Sequence, residues 1–212
     1  MNDKICCFLF VFAVIVNINK GLSQKDKSFS GELIYMVTQV DASPNELIPS
    51  DNAEKKVIIY AKDSLLKIVN FNSVNGSQEC LKHLKKNKTI LLIELEGQGY
   101  AIRMDEDQNP RKDTLYSFNK KCGLKRNIGG LKSKKMTMNH PMLTNELICF
   151  YSKKIPSEYA NVFEDLPGIP TVYYIVADDS LFRYELESYQ DYDPPLSIFM
   201  IPEGFEIVTM LE

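Results

Sequence analysis

Five segments of this sequence are apolar on both faces of the strand that each one predicts. They read VIIYA, ILLIEL, LICFY, TVYYIV and LSIFMI. An antiparallel sheet normally leaves one face to water, so strands that are buried on both faces need a covering layer. Parallel α/β proteins supply that layer with helices, but only residues 77–87 and 156–165 show helical spacing here. The sheet must therefore curl over its own contents or be covered by a small lid.

Two architectures satisfy this constraint, and the pattern alone leaves both open. One is mainly β: a curved antiparallel sheet that forms a half-barrel around an apolar hollow, with one or two short helices near its mouth. The other is a two-sheet sandwich whose inner faces fill each other. In either case Asp63-Ser64 and the turn around Glu96-Gly97 predict hairpins, and LFRYELESY alternates with Phe182, Tyr184 and Leu186 inward.

The N-terminus predicts export. Lys4 precedes an apolar run from Ile5 to Val16, and small residues lead to Ser23, which is the layout of a secretory signal peptide over residues 1–23. The run is shorter than the about 20 residues that a membrane span needs. We therefore expect residues 24–212 to form a single domain, periplasmic or extracellular, with no transmembrane segment.

The cysteines do not predict a disulfide scaffold. After the signal peptide three remain, Cys80, Cys122 and Cys149, which permits at most one internal bridge. Cys149 lies in the apolar run ELICFY and is expected in the core. A Cys80–Cys122 bridge and three separate thiols are both compatible with the spacing.

Catalytic and metal-binding patterns are missing from the sequence. The two histidines, His83 among lysines and His140 before a proline, predict a solvated residue and a turn. There is no His-Glu-x-x-His zinc pattern and no Gly-x-Ser-x-Gly elbow. Asp105–Pro110 begins like an EF-hand loop, but Pro110 stands where that loop requires Gly. The sequence thus predicts no enzyme, no metal and no cofactor.

Positive charge is concentrated in residues 111–135, which contain nine Lys and Arg residues and a single acidic residue, Asp113. An exported chain with a net charge of −3 is a poor candidate for binding nucleic acid. Anionic lipid headgroups or an acidic protein partner fit the patch better. A solvated face whose lysines protect edge strands explains the same pattern.

Several motifs, in order, resemble those of the GLPGLI-type exported bacterial proteins, a group allied to the LolA/LolB-like lipoprotein carriers. The motifs are GELIY, VIIYAKDSLLKI, NIGGLKSKK, FEDLPGIPTVYY and LSIFMIPEGFEIVT. One departure is Ser133, which stands where the central motif often carries Cys. A bridge made from that position in relatives would be missing here.

The resemblance implies a single curved antiparallel sheet whose hollow receives acyl chains. It favours a non-catalytic envelope protein that binds or carries a lipid-like ligand, with a lipid or lipoprotein acyl chain and an envelope protein as candidate partners. The alternative is a structural or interaction module of the envelope with a self-filled core and no ligand.

The segment FEDLPGIP, residues 163–170, predicts the mouth of such a hollow. Pro167 favours an extended Leu166, Gly168 permits a tight turn, and Pro170 suits the start of a strand. An ordinary helix-to-strand corner would use the same residues. The candidate ligand-binding residues are Tyr159, Phe163, Leu166, Ile169 and Tyr174.

Overall fold

The computed structural model describes residues 28–42, 47–49, 55–72, 76–86, 88–104, 115–177 and 180–209. The predicted signal peptide and the Asp105–Pro110 segment lie outside these ranges. None of the helical turns in the described part has the length or apolarity to span a bilayer.

Thirteen strands in the described residues form one sheet. In chain order they are β1 (Ser30–Ala42), β2 (Leu47–Pro49), β3 (Lys55–Lys62), β4 (Leu65–Asn72), β5 (Gly76–His83), β6 (Lys88–Leu95), β7 (Gln98–Met104), β8 (Ser117–Ile128), β9 (Leu131–Asn139), β10 (Leu147–Ser152), β11 (Ile169–Ala177), β12 (Ser180–Asp191) and β13 (Glu206–Thr209). Their spatial order is β13-β7-β6-β5-β4-β3-β1-β12-β11-β10-β9-β8, with β2 beside β1. All pairs are antiparallel except β13 with β7.

The sheet is curved and unclosed, which confirms the predicted mainly β fold. Its helical content in the described residues is two 3₁₀ turns, Ser157–Ala160 and Leu196–Phe199. The predicted hairpins at Asp63-Ser64 and Glu96-Gly97 are both present. Of the predicted inward set on β12, Leu186 is buried and Tyr184 packs against the core, whereas Phe182 is half-buried, as are Arg183 and Glu185.

Two local predictions were wrong. Residues 77–86 do not form a helix, because β5 pairs with β4 and β6 and alternates its side chains between two faces. The segment LSIFMI is not a buried strand but a 3₁₀ turn, and Leu196 and Met200 are exposed.

One half of the sheet folds back on itself. The β8–β9 turn reaches β12: a Cβ added at Gly129 would lie 2.6 Å from Leu186 Cγ. Below it, Thr171 Oγ1 of β11 donates a hydrogen bond of 2.8 Å to Ser133 Oγ of β9. We call strands β1 and β8–β12 the closed half, and its interior is filled by the main hydrophobic core, to which β3 and β4 also contribute Ile59, Ala61, Leu66 and Ile68.

The other half, strands β3–β7 and β13, is the open half. It carries a smaller core of Leu81, Leu92 and Ala101, covered by Ile201 and Phe205 of the C-terminal segment. Phe205 packs so closely that a Cβ at Gly99 would lie 2.6 Å from its ring. Because this segment crosses from β12 to the far edge of the sheet, it covers one face of β5–β7.

Candidate functional site

The segment Ser157–Gly168, which we call the plug segment, fills part of the interior of the closed half. Its half-buried Phe163 ring lies between the ring of Tyr116, just before β8, that of Phe118 in β8 and that of Tyr173 in β11, with centroid distances of 5.0, 4.9 and 5.9 Å. Phe163 holds a φ of 49° and Asn161 a φ of 56°. Such left-handed backbone is costly for a bulky side chain, so the packing of the ring must offset it.

Lys82 of β5 holds the plug segment from the opposite side of the interior. Its Nζ donates a hydrogen bond of 2.7 Å to Asn161 Oδ1 and lies 3.6 Å from Glu164 Oε1. The Lys82 side chain is only 9% exposed, so its charge depends on these partners. Lys82 lies in the segment for which the sequence predicts a helix, but the residue belongs to the strand β5.

The Leu-Pro-Gly corner packs closely against the end of β10. A Cβ at Gly168 would lie 2.1 Å from the Ser152 carbonyl oxygen, so only glycine allows this approach. The Ser157 Oγ lies 2.6 and 2.9 Å from the carbonyl oxygens of Glu164 and Leu166, and closes the loop on itself. Tyr35 Oη donates 2.8 Å to the Pro170 carbonyl, which ties β11 to β1.

The structure brings some of the predicted mouth residues together and separates others. Tyr159 and Leu166 are buried and line a cavity of about 1020 Å³, the Tyr159 cavity, at the Asp63-Ser64 turn. Phe163 is half-buried among aromatic rings, and Ile169 is fully buried. Tyr174 is next to Tyr173 on β11 and so points to the other face of the strand.

Tyr159 is held by two hydrogen bonds. Its Oη accepts from the Phe29 amide at 3.0 Å and donates to the Asp63 carbonyl. Its ring also packs edge-on against Phe29, with centroids 5.5 Å apart. Tyr159 therefore joins the plug segment to the start of β1 and to the β3–β4 turn.

A second opening, the amphipathic groove, lies where β11 and β12 face the ends of β3–β5. It has a volume of about 470 Å³. One wall, from β1, β11 and β12, is apolar and consists of Val37, Ile175, Phe182 and Tyr184; the other, from β3–β5, carries Lys55, Val57, Asn70, Asn72 and Gln78. The amide pair Asn70 and Asn72 interrupts the apolar face of β4, and this is the sequence signal that could have located the groove.

A line of aromatic contacts connects this groove to the plug. Tyr184 stacks on Tyr173 with centroids 4.7 Å apart and planes at 11°, and Tyr173 touches Phe163. Burial raises the pKa of both tyrosines. Their hydroxyls therefore stay neutral, and the wall between groove and interior carries no charge.

The thiols and histidines offer little reactive chemistry. Burial raises the pKa of the Cys149 thiol to about 12, so it stays protonated at neutral pH. Cys80 is a free thiol, and the candidate Cys80–Cys122 bridge is therefore not formed. His83 is not fully solvated as expected, because its Nδ1 is buried without a partner among the described residues. His140 lies at the predicted turn and accepts from the Met142 amide at 3.2 Å.

No group of three His, Cys, Asp or Glu side chains in the described ranges is placed to hold a metal ion. At the position where the resemblance expects Cys, Ser133 is fully buried. Its Oγ donates 3.0 Å to the Leu131 carbonyl and accepts from Thr171. A hydrogen-bonded pair thus joins β9 to β11 at this point.

Comparison with known proteins gives a distant structural likeness. No protein-family profile and no curated protein matches this chain. The crystal structure of MucB is similar, with a TM-score of 0.46 and 9% identity over 84% of this chain and 60% of MucB. The Pseudomonas aeruginosa MucA/MucB complex is similar with a TM-score of 0.40 and 9% identity, over 84% of this chain and 59% of the other. The chain thus spans less than two thirds of both structures, and the GLPGLI resemblance stays a prediction.

Proposed function

We propose that this protein is a non-catalytic, exported binding protein of the cell envelope. Its ligand is amphipathic and lipid-like, and the apolar part of that ligand lies in the amphipathic groove. The observation that supports this proposal is the groove itself, which has about 470 Å³ between an apolar wall and an amide-rich wall. Ligand pockets in proteins commonly have about 300–1,000 Å³ and this combination of linings.

The apolar wall provides the driving force. Each methylene removed from water contributes about 0.8 kcal/mol, so an eight-carbon stretch gains about 6 kcal/mol before the costs of ordering it. Asn70 of β4 and Gln78 of β5 are paired across the two strands, so their side chains lie on one face. Amides both donate and accept hydrogen bonds, so this wall suits an ester or amide headgroup.

The filled interior supports a second candidate, an interaction module without a ligand. In the closed half, Phe163, Tyr173 and the core residues around them occupy the space that a carrier would leave for an acyl chain. On this alternative the groove stays empty and the surface of the protein carries the function.

A fluorescent twelve-carbon fatty acid separates these candidates. We expect the mature chain to bind it with a rise in fluorescence, and Phe182→Glu to weaken binding by about tenfold because it puts a charge on the apolar wall. Leu95→Glu, on an exposed residue at the β6–β7 turn, is the matched control and should bind normally. Equal binding by both variants, or none by the native chain, would count against the groove.

The predicted mouth at Tyr159, Phe163, Leu166, Ile169 and Tyr174 is a separate part of the proposal. Tyr159 and Leu166 border the Tyr159 cavity, so a ligand entering there would contact the plug segment. The double variant Phe163→Ala/Leu166→Ala tests it with the same fatty acid. Reduced uptake with intact folding supports a mouth at this corner, whereas unchanged uptake leaves only the structural role of the corner.

Export is tested independently of binding. We propose that residues 1–23 are removed and that residues 24–212 act as one domain. Mass spectrometry of the protein recovered from outside the cytoplasm should give a mass that begins at Gln24. A recovered chain that still carries Met1 would contradict the signal peptide.

A further inference from the structure

The β8–β9 hairpin, Ser117–Asn139, carries a concentration of uncompensated positive charge. The hairpin sequence contains seven Lys and Arg residues and no acidic residue. Lys125 and Lys134 are Cα partners across the two strands, so two like charges face each other. Directly opposed like charges are destabilising by about 0.2–1 kcal/mol.

Four basic side chains elsewhere in the described part of the chain have acidic partners. Lys62 pairs with Asp193, Lys67 with Glu79, Lys82 with Glu164 and Arg183 with Glu185. In contrast, Lys120, Lys125, Lys132 and Lys134 are exposed, and no described acidic side chain forms an ion pair with them.

The hairpin also lies at an end of the sheet. In the described residues β8 pairs with β9 on one side, and it is the last strand in the sheet order. Its other edge therefore offers backbone donors and acceptors to an added strand. Leu124, 49% exposed, lies beside Lys125 on this edge and offers an apolar contact.

We infer that this basic edge docks an acidic, extended segment of a partner protein, which adds to the sheet beside β8. The backbone edge favours a polypeptide strand over a lipid surface, because a strand uses this edge as well as the charge. An acidic side chain on the added strand would lie next to Lys125, whose charge faces Lys134 of β9. This surface shares no residue with the amphipathic groove.

A ten-residue fluorescein-labelled peptide of alternating Glu and Val tests the inference by fluorescence anisotropy on the mature chain. We expect it to bind, with affinity falling as salt rises, while a Lys-Val peptide does not bind. Lys125→Glu should weaken binding by about tenfold. Lys86→Glu, an exposed charge reversal on the open half, should change it by less than twofold.

Two further readouts separate docking from a structural role. Because Lys125 is paired with Lys134, Lys125→Glu replaces two opposed like charges with an opposite-charge pair. The substitution should therefore raise the unfolding midpoint in urea while it lowers peptide affinity. A peptide methylated on alternate backbone nitrogens should bind more weakly, because it cannot pair along the edge. The inference is overturned if the Glu-Val peptide does not bind, if the methylated peptide binds equally, or if the chain binds vesicles with anionic lipids and not the peptide.

Discussion

The two halves of the sheet consist of similar strands but differ in how their inward side chains pack. In the closed half, β8–β9 folds over β11–β12 and the plug segment fills the interior, so almost every inward side chain is buried. In the open half, the C-terminal segment covers only one face, and the inward residues Asn70 and Gln78 stay exposed. The difference shows that a sheet of this kind need not enclose a single hollow. It can close on its own side chains in one half and leave a binding groove where that closure ends.

The largest expected effect is on the free energy of unfolding, in a comparison of two glycines in hairpin turns. Gly129 and Gly97 both have positive φ, 55° and 82°, so alanine strains the backbone at both by about 1–2 kcal/mol. Only at Gly129 would the new Cβ meet a neighbour, Leu186, at 2.6 Å. We expect Gly129→Ala to lower the free energy of unfolding in urea by about 3–4 kcal/mol and Gly97→Ala by about 1. Equal losses would mean that the closed half is loosely packed.

The next comparison concerns tyrosine hydroxyls. Tyr159→Phe removes the acceptor of the Phe29 amide and the donor to the Asp63 carbonyl in a buried site. We expect a loss of about 2 kcal/mol by urea unfolding. Tyr60→Phe, on a half-buried tyrosine of β3, should cost less than about 0.5 kcal/mol. A small effect at Tyr159 would show that the plug segment is not tied to β1 through this group.

An alkaline titration gives a smaller difference between the halves. Burial raises the pKa of Cys149 from 9.0 to about 12, so above pH 9 the unfolded thiol loses its proton while the folded thiol keeps it. Stability should fall with pH in this window, by up to about 2 kcal/mol between pH 9 and 11. Cys149→Ala should show a shallower decline in the free energy of unfolding than Cys80→Ala. Parallel declines would contradict the burial of Cys149.

The smallest effect is a difference in labelling rate. In a Cys122→Ser background at pH 8, a thiol reagent should modify Cys80 on the half-buried face of β5 and leave Cys149 unmodified until the protein unfolds. Mass spectrometry of digested samples identifies the labelled thiol. Prompt labelling of Cys149 in the native protein would show that the closed half opens readily.

Much of the fold could be predicted from the sequence, because strand alternation and turn residues are local signals. The shortage of helices against the number of two-sided apolar strands left a curved sheet and a two-sheet sandwich open, and the structure has the curved sheet. The Leu-Pro-Gly corner was correctly recognised as the start of a buried strand. These features depend on residues close together in the chain.

The errors came from contacts between distant residues. Residues 77–87 have helical spacing, but β4 and β6 provide backbone partners on both sides, and Lys82 reaches Asn161 and Glu164 in the plug segment. The segment LSIFMI is apolar enough for a buried strand, yet it follows Pro194 and Pro195 and turns over the open half. The groove combines residues from six strands, so no local pattern contains it. Only the interruption at Asn70 and Asn72 indicated its position.

The most direct test of the closed and open halves is photo-crosslinking with a fatty acid that carries a diazirine near the end of its chain. After irradiation of the mature protein and proteolysis, mass spectrometry locates the modified residues. We expect modification of groove residues, chiefly Val57, Ile175 and Phe182, and none at Phe118 or Tyr173. Modification of Phe118 or Tyr173 would show that the chain enters the interior of the closed half, and would contradict the division into a self-filled half and a binding groove.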